Sequence, residues 1–201
     1  MRSMKKILFL LIASVCMHGV FAQGHGVFII SYPIAFPMGD LNDYSSSTSF
    51  RGINVEFGKE VRPNLIAEIE TGWNVFYQEV PEQVYTEQTA SFSGKQFRYT
   101  NAVPIIAGAK WVLKSHNNLI PYAGLGLGTM YADRSTDFGL YRISTDAWQF
   151  CIRPELGITF KSRNGPAAML GVKYYSSFNS SDLDGQSYFT VNIGIVFPYG
   201  L

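Results

Sequence analysis

The most constraining feature of this sequence is the alternation of apolar with polar or small residues along its C-terminal segment, residues 188–201. The apolar positions are Phe189, Val191, Ile193, Ile195, Phe197, Tyr199 and Leu201. A period of two indicates a β-strand with one apolar face. The alternation suits the roughly nine to eleven residues of a tilted strand that crosses a bilayer. Taken alone, this segment leaves open the alternative of a final strand in a soluble β-sandwich.

The N-terminal segment predicts export from the cytoplasm. Lys5 and Lys6 precede an apolar run over residues 7–15, and the small residue Ala22 follows. A basic start, a short apolar run and a small-residue cleavage site are typical of a secretory signal peptide. We therefore expect a signal peptide at residues 1–22 and one mature domain at residues 23–201. Lipidation of Cys16 is a less favoured alternative, because the preceding residue is not small.

The composition of the chain limits how it could enter a membrane. After the signal peptide, no apolar run is long enough to span a bilayer as a helix, so insertion would require a closed β-sheet. Charged residues make up 15% of the chain, below the roughly 25% of average soluble proteins. The net charge of +1 gives no indication of nucleic-acid binding. Only Cys151 remains after the signal peptide, which excludes an internal disulfide in the mature domain.

Period-two alternation recurs in seven segments, and one further segment, residues 26–36, is almost continuously apolar, so its faces cannot be assigned. We predict that all eight are the strands of one antiparallel meander. Their predicted ranges are 26–36, 50–60, 65–78, 95–113, 119–132, 147–161, 167–178 and 188–201. Long predicted loops (41–49, 79–94, 133–146 and 179–185) alternate with short predicted turns (62–64, 114–118 and 162–165). All long loops then lie at one end, as in bacterial outer-membrane barrels. We predict an all-β fold, an eight-stranded antiparallel up-and-down transmembrane β-barrel with both termini periplasmic.

The apolar face of these strands carries aromatic residues near both ends. Those near the long loops are Tyr77, Phe97, Tyr99, Tyr131, Trp148 and Tyr174, and those near the short turns are Trp111, Phe160, Phe197 and Tyr199. Two aromatic belts that flank an aliphatic band match the two interfaces of a bilayer. This pattern predicts that the apolar face contacts lipid.

The opposite face carries charges of both signs. They are Glu56, Glu68, Glu70, Arg98, Lys110, Arg153, Glu155 and Lys173. Because an Arg or Lys facing lipid at the midplane costs about 2–4 kcal/mol, we predict that these side chains point inward. We expect Glu68 and Glu70 to pair with Arg98 or Lys110. The interior of an eight-stranded barrel is only just wide enough for side chains, so a blocked or very narrow lumen is expected.

No group of residues predicts a catalytic, cofactor or metal site. Barrel enzymes as a rule use a His near the outer rim, whereas His18 is in the signal peptide and His25 and His116 fall at the periplasmic end. The sequence therefore lacks the base that acid–base catalysis of this kind needs. The glycines from Gly124 to Gly128 lack phosphate-loop spacing, and we interpret them as making room for long neighbours such as Arg153.

One cluster of acidic residues leaves a minor alternative open. Asp133, Asp137 and Asp146 fall in a single predicted outer loop. Carboxylates are the oxygen ligands that divalent cations prefer. A cation that bridges these residues to lipopolysaccharide is the less favoured interpretation, and a solvated loop is the favoured one.

The whole mature chain resembles the small eight-stranded outer-membrane β-barrel proteins of Gram-negative bacteria, often called porin-family proteins. The resemblance is carried by residues 37–40, 73–77, 102–105, 121–128 and 154–157. The C-terminus also resembles the assembly signal of such barrels, with Asn192, Gly194, Phe197 and Tyr199 at the matching positions. Pro198 and the two residues after Tyr199 depart from that signal. The resemblance implies an outer-membrane location and, as partners, outer-membrane lipid, lipopolysaccharide and the barrel-assembly machinery.

Three functions are compatible with this fold. The favoured one is a structural and surface-interaction barrel that presents its long loops. The alternatives are a narrow, porin-like channel for small solutes and an accessory barrel with a protein partner in an envelope or secretion complex. Fold alone does not choose among them, because function depends on the site that the fold carries.

Overall fold

The computed structural model describes residues 25–87, 90–113, 118–138, 141–162 and 165–199, and for residues 82–87, 90–94 and 199 it describes the backbone alone. The predicted signal peptide, Cys16, His116 and the last two residues lie outside the described residues. Within those ranges, no helix is both long and apolar enough to cross a membrane.

The described residues form eight strands and one short helix. The strands are β1 (Gly26–Met38), β2 (Gly52–Arg62), β3 (Leu65–Glu87), β4 (Ala90–Val112), β5 (Leu119–Phe138), β6 (Tyr141–Phe160), β7 (Ala167–Ser177) and β8 (Ser187–Tyr199), and helix α1 (Asp40–Tyr44) follows β1. Each strand pairs antiparallel with the next, and β8 pairs with β1 from Gly26↔Tyr199 to Met38↔Ser187. This closed up-and-down barrel confirms the predicted fold class.

Two of the predicted long loops are wrong. The β3–β4 ladder continues to Glu87↔Ala90 and the β5–β6 ladder continues to Phe138↔Tyr141, so 79–94 and 133–146 are mostly strand. Their polarity suggested loops, but strand pairing depends on backbone hydrogen bonds and tolerates polar side chains on both faces. The longer connections that remain at this end are residues 39–51, which contain α1, and residues 178–186.

As a result, four neighbouring strands extend beyond the rest of the barrel at the loop end. We call residues 78–87, 90–98, 132–138 and 141–147 of β3–β6 the protruding sheet. β7 ends its pairing with β6 at Cys151↔Ser177, and β2 ends its pairing with β3 at Gly52↔Asn74. The two outer strands of the protruding sheet therefore extend past their barrel neighbours.

Side chains alternate between the lumen and the outer surface along every strand. On β8, for example, Thr190 and Asn192 are fully buried, whereas Ile193 is 56% exposed. The outer surface carries a band of exposed aliphatic residues: Ile53, Ile69, Ile105, Leu125, Leu127, Leu156, Leu170 and Ile193. The apolar surface is thus outside and the polar surface inside, which is the reverse of a soluble domain.

Candidate functional site

The lumen holds a cluster of buried ions, which we call the lumen charge cluster. Its members are Glu56 from β2, Glu68 and Glu70 from β3, Lys110 from β4, Arg153 and Glu155 from β6, and Lys173 from β7. Every member is at most 5% exposed. Buried ions persist in proteins only when they are paired and hydrogen-bonded, so the contacts within the cluster decide whether it is stable.

Two lysines neutralise the carboxylates of β2 and β3. The Lys110 ammonium contacts Glu56, lies 2.8 Å from Glu68 and lies 3.6 Å from Glu155. The Lys173 ammonium lies 2.5 Å from Glu56 and 2.7 Å from Glu70. Each lysine therefore bridges carboxylates that would otherwise repel one another.

Arg153 lies at the centre of the cluster. Its guanidinium donates to Glu68 and Glu70 and lies 3.2 Å from Glu155. The Tyr175 hydroxyl donates a further hydrogen bond to Glu70. A guanidinium has five N–H donors in a fixed plane, so one Arg can bind three carboxylates at once.

The carboxylates of this cluster could also suggest a metal site. Oxygens of Glu56, Glu68 and Glu70 lie within 4.8 Å of one another. However, Lys110, Arg153 and Lys173 contact these same carboxylates. The cluster is therefore organised as an ion-pair network, with protein cations where a metal ion would have to bind.

Two apolar clusters enclose the ions along the barrel axis. Toward the loops, the apolar cluster consists of Ala35, Leu41, Phe76, Ala102, Ile106, Met130, Cys151, Tyr175 and Tyr188. Toward the turns, it consists of Ile29, Tyr122, Met169 and Val196. Tyr175 reaches Glu70 from one side, and the Tyr122 ring lies 5.3 Å from the Lys110 ammonium on the other. The ions thus lie between two groups of apolar side chains, and buried polar residues such as Asn54 and Asn74 are interspersed with the group toward the loops.

Arg98 does not belong to the lumen charge cluster, contrary to the sequence-based expectation. It faces inward, but it lies on the loop-end part of β4, where it donates to the Tyr44 carbonyl at 3.2 Å and to Gln96. Glu70 pairs instead with Arg153 and Lys173 from across the lumen. The period-two pattern of a sequence shows which face of a strand a residue occupies, but not its position along the barrel axis. For this reason the sequence could not show that Arg98 lies too near the loop end to reach Glu70.

Arg98 and Arg134 both lie against the ring of Tyr44 at the end of α1. Their guanidinium carbons are 5.2 and 4.3 Å from the ring centroid, within the range of cation–π contacts. Burial raises the pKa of the Tyr44 hydroxyl above its ordinary value, and its hydrogen bond with Thr136 and the two guanidinium charges oppose this shift. Together with the buried Leu41, these contacts hold α1 over the mouth of the barrel.

The residues of the predicted assembly signal lie in β8. Asn192 is buried, accepts a hydrogen bond from Asn54 and donates to the Thr190 hydroxyl at 2.7 Å. Gly194 faces inward beside Ser31 and Met169, whereas Phe197 faces outward and is 37% exposed. The backbone of Tyr199 pairs with Gly26, and its side chain is outside the described part of the chain. Recognition of these residues by an assembly machinery stays a prediction.

Sequence reasoning missed Leu41, Tyr44 and Tyr175 as structural partners of the lumen. Tyr175 could have been found, because it follows Lys173 by two positions on the same face of β7. Leu41 and Tyr44 belong to a five-residue helix within a polar connection, and so short a segment carries no reliable periodicity.

Inward glycines on β5 make room for the ions, as the sequence predicted. A Cβ at Gly124 would lie 2.5 Å from the Glu155 carboxylate, and one at Gly126 would lie 3.1 Å from the Arg153 guanidinium. Gly128 has a different role, since its Cβ would overlap the carbonyl oxygen of Ile105 on β4. Glycine thus admits long side chains at two positions and a close strand at the third.

We expect the substitution Gly128→Ala to lower the free energy of unfolding by about 1–3 kcal/mol, because the new methyl group can be accommodated only if a strand moves. Urea titration of the protein folded in lipid vesicles would measure the change. Gly165→Ala is the matched control, since no atom lies within 4 Å of a Cβ at that position. Equal stability of the two variants would contradict the close packing of β4 and β5.

Comparisons with known proteins agree on the fold. No protein-family model and no curated protein sequence matches this chain. Among solved structures, Ail, the attachment invasion locus protein of Yersinia pestis, is similar with a TM-score of 0.56 at 11% identity, over 88% of this chain and 99% of Ail. Neisserial surface protein A is similar with a TM-score of 0.54 at 12% identity, and the match covers 89% of this chain and 98% of that protein. The outer membrane protease OmpT from Escherichia coli has a TM-score of 0.50 at 5% identity, and the match covers 88% of this chain and 94% of OmpT. At these identities the likeness concerns the fold and carries no activity to this chain.

Proposed function

We propose that this chain, which has the fold of the small eight-stranded outer-membrane β-barrel proteins, is an integral protein of the bacterial outer membrane with a closed lumen. In this proposal it strengthens the membrane and presents the protruding sheet and the loop-end connections as an interaction surface. The observation that carries the proposal is the inverted surface, with aliphatic residues outside and the lumen charge cluster inside. A bilayer is the solvent that stabilises such a distribution.

The proposed location also implies which end of the barrel faces the periplasm. Both ends of the described chain, at His25 and Tyr199, are at the short-turn end of the barrel, which we assign to the periplasm. The protruding sheet then lies outside the cell, in contact with lipopolysaccharide. The barrel-assembly machinery is the partner that such a location requires.

The proposal includes no enzymatic step. His25 is exposed at the short-turn end, opposite the loops where the barrel enzymes that use His carry their catalytic groups. The buried carboxylates are bound to cations and separated from both ends of the barrel by the two apolar clusters, so a substrate would have no path to them.

Heat-modifiable gel migration combined with membrane fractionation tests the location. We expect the mature chain to enter the outer-membrane fraction and to migrate differently before and after boiling, because a folded barrel resists detergent until it is heated. A chain that stays in the soluble periplasmic fraction would contradict the proposal.

We expect the refolded protein to give no steady channel openings in a planar lipid bilayer. Arg153, Phe76 and Tyr122 are buried inside the barrel. Because the interior of an eight-stranded barrel is only just wide enough for side chains, we expect them to leave no continuous aqueous path. A general porin refolded in the same way provides the positive control for insertion. Large, steady openings of this protein would support the channel alternative instead.

A further inference from the structure

The connection between β7 and β8, residues 178–186, is fixed against the inner side of the barrel wall at the loop end. Leu183 is 7% exposed and packs against Ala132 of β5 and Ala147 of β6. The side-chain amide of Gln149, which is buried on β6, donates a hydrogen bond to the Leu183 carbonyl at 3.0 Å. Apolar packing and a buried hydrogen bond therefore determine where the side chains of this connection lie.

A cleft of about 320 Å³ lies between this connection and the strands β5 and β6. We call it the mouth cleft, and it is lined by Arg134 of β5, Thr145 of β6 and residues 180–184 of the connection. Arg134 and Thr145 lie directly opposite each other in the β5–β6 ladder. Pockets that bind small molecules have volumes of about 300–1,000 Å³. The mouth cleft therefore has room for a small organic molecule.

The cation on the strand side of the mouth cleft has no carboxylate partner among the described residues. The Arg134 guanidinium lies 4.3 Å from the centre of the Tyr44 ring, and its Nη2 lies 3.4 Å from the Gln186 side-chain oxygen. Its Nε is buried and has no hydrogen-bond partner. Burial lowers the pKa of the Arg134 guanidinium below its ordinary value, and the negative charge of Asp184 opposes this shift. Because a half-buried cation without a counter-ion is destabilised, the carboxylate of a ligand would pair favourably with it.

The connection supplies charges of the opposite sign on the other side of the mouth cleft. Asp182 and Asp184 are both exposed, and neither forms an ion pair with a described residue. The Asp182 carboxylate accepts a hydrogen bond from the Ser181 hydroxyl at 3.1 Å. Arg134 and Asp184 therefore face the same cleft with opposite charges, but the fixed connection keeps them beyond ion-pair distance.

We propose that the mouth cleft binds a small soluble zwitterion, a free amino acid or a dipeptide, with its carboxylate at Arg134 and its ammonium group at Asp184. A carboxylate suits the single guanidinium, whereas a phosphate group with a charge of about −1.5 to −2 would be repelled by the two aspartates. The ligand gives each unpaired charge of the cleft a partner, and this is the source of its affinity and selectivity. The inference goes beyond the proposed function and rests on it only in requiring that the mouth opens to the outside solution.

Glycylglycine provides the probe for an NMR titration of the full mature chain in lipid nanodiscs. The resonances of the Arg134 Nε–H group and of the Asp184 backbone amide should shift with saturation as the dipeptide is added. N-acetyl-glycylglycine lacks the ammonium group, and glycylglycine amide lacks the carboxylate. We expect each of these to bind about tenfold more weakly, because each loses one hydrogen bond between charged groups.

Two variants assign each end of the ligand to its residue. Asp184→Asn should bind glycylglycine and its N-acetyl form with equal affinity, and Arg134→Gln should bind glycylglycine and its amide with equal affinity. Each variant loses discrimination only for the group that its own residue contacts, which a general disturbance of the connection would not produce. Arg142→Gln is the matched control, because Arg142 also lies in the protruding sheet but pairs with Asp137 at 3.5 Å. It should bind all three dipeptides as the parent chain does.

Three results would overturn the proposal. They are the absence of a saturable shift with millimolar glycylglycine, equal affinity of the parent chain for the three dipeptides, and a coupling between Arg134→Gln and Asp184→Asn in the free energy of unfolding without ligand. The last result would show that the two residues pair with each other. Heat-modifiable migration of every variant is measured alongside. Failure of the parent to insert contradicts the proposed function, whereas an inserted barrel that does not discriminate among the dipeptides contradicts this inference alone.

Discussion

The substitution Arg153→Met is expected to lower the free energy of unfolding by about 3–5 kcal/mol, the usual cost of removing one member of a buried ion network. Arg153 is fully buried and contacts Glu68, Glu70 and Glu155. Met retains much of the side-chain volume of Arg. The decrease in the free energy of unfolding is therefore caused by the missing charge more than by a new cavity. Without the guanidinium, these carboxylates would share two lysines and repel one another at the centre of the barrel.

The measurement is a urea titration of the protein folded reversibly into lipid vesicles, followed by tryptophan fluorescence. Arg142→Met is the matched control, because Arg142 pairs with Asp137 at 3.5 Å while its side chain is 60% exposed. An exposed pair contributes about 0–1 kcal/mol, so this variant should unfold close to the parent. Similar losses in the two variants would show that burial of the lumen charge cluster has no special energetic role.

The second large effect concerns the outer surface. We expect Leu127→Arg to lower the stability of the barrel in a bilayer by about 2–4 kcal/mol, the cost of a lipid-facing Arg near the midplane. Leu127 is 49% exposed. It lies on β5 midway between Ala123, which pairs with Trp111, and the belt residue Tyr131. In a soluble protein the same exposed position would tolerate Arg with little change in stability. The size of the stability loss therefore tests directly whether Leu127 faces lipid.

Ile143→Arg is the control for this experiment. Ile143 is 64% exposed, more than Leu127, but it lies in the protruding sheet on the face that continues the lumen side of β6, and therefore does not face lipid. We expect the free energy of unfolding of the Ile143→Arg variant to stay within about 0.5 kcal/mol of that of the parent, as for most surface substitutions in water. An equal cost at positions 143 and 127 would show that the loss at position 127 does not depend on contact with lipid.

The closed barrel could be predicted from the sequence because its signal is repeated. Seven alternating segments and the inward placement of residues such as Glu70 and Arg153 follow from period two alone, whereas β1 is recognised by its β-forming residues and not by alternation. Strand ends were less predictable, since polar residues such as Thr136 and Arg142 continue a ladder without continuing the apolar pattern. Pairing across the lumen depends on register and tilt, which no local pattern encodes, and this is why Arg98 was misplaced while Lys110 reached Glu68.

The distribution of the ions among the strands has a consequence for the order of assembly. β2–β4 contribute three carboxylates and one ammonium, whereas β6 and β7 contribute two cations and one carboxylate. Neither half of the barrel can neutralise its own charges. A partly inserted half would leave unpaired ions, so we expect β2–β4 and β6–β7 to enter the lipid together. We therefore expect the cluster that stabilises the finished barrel also to make insertion cooperative.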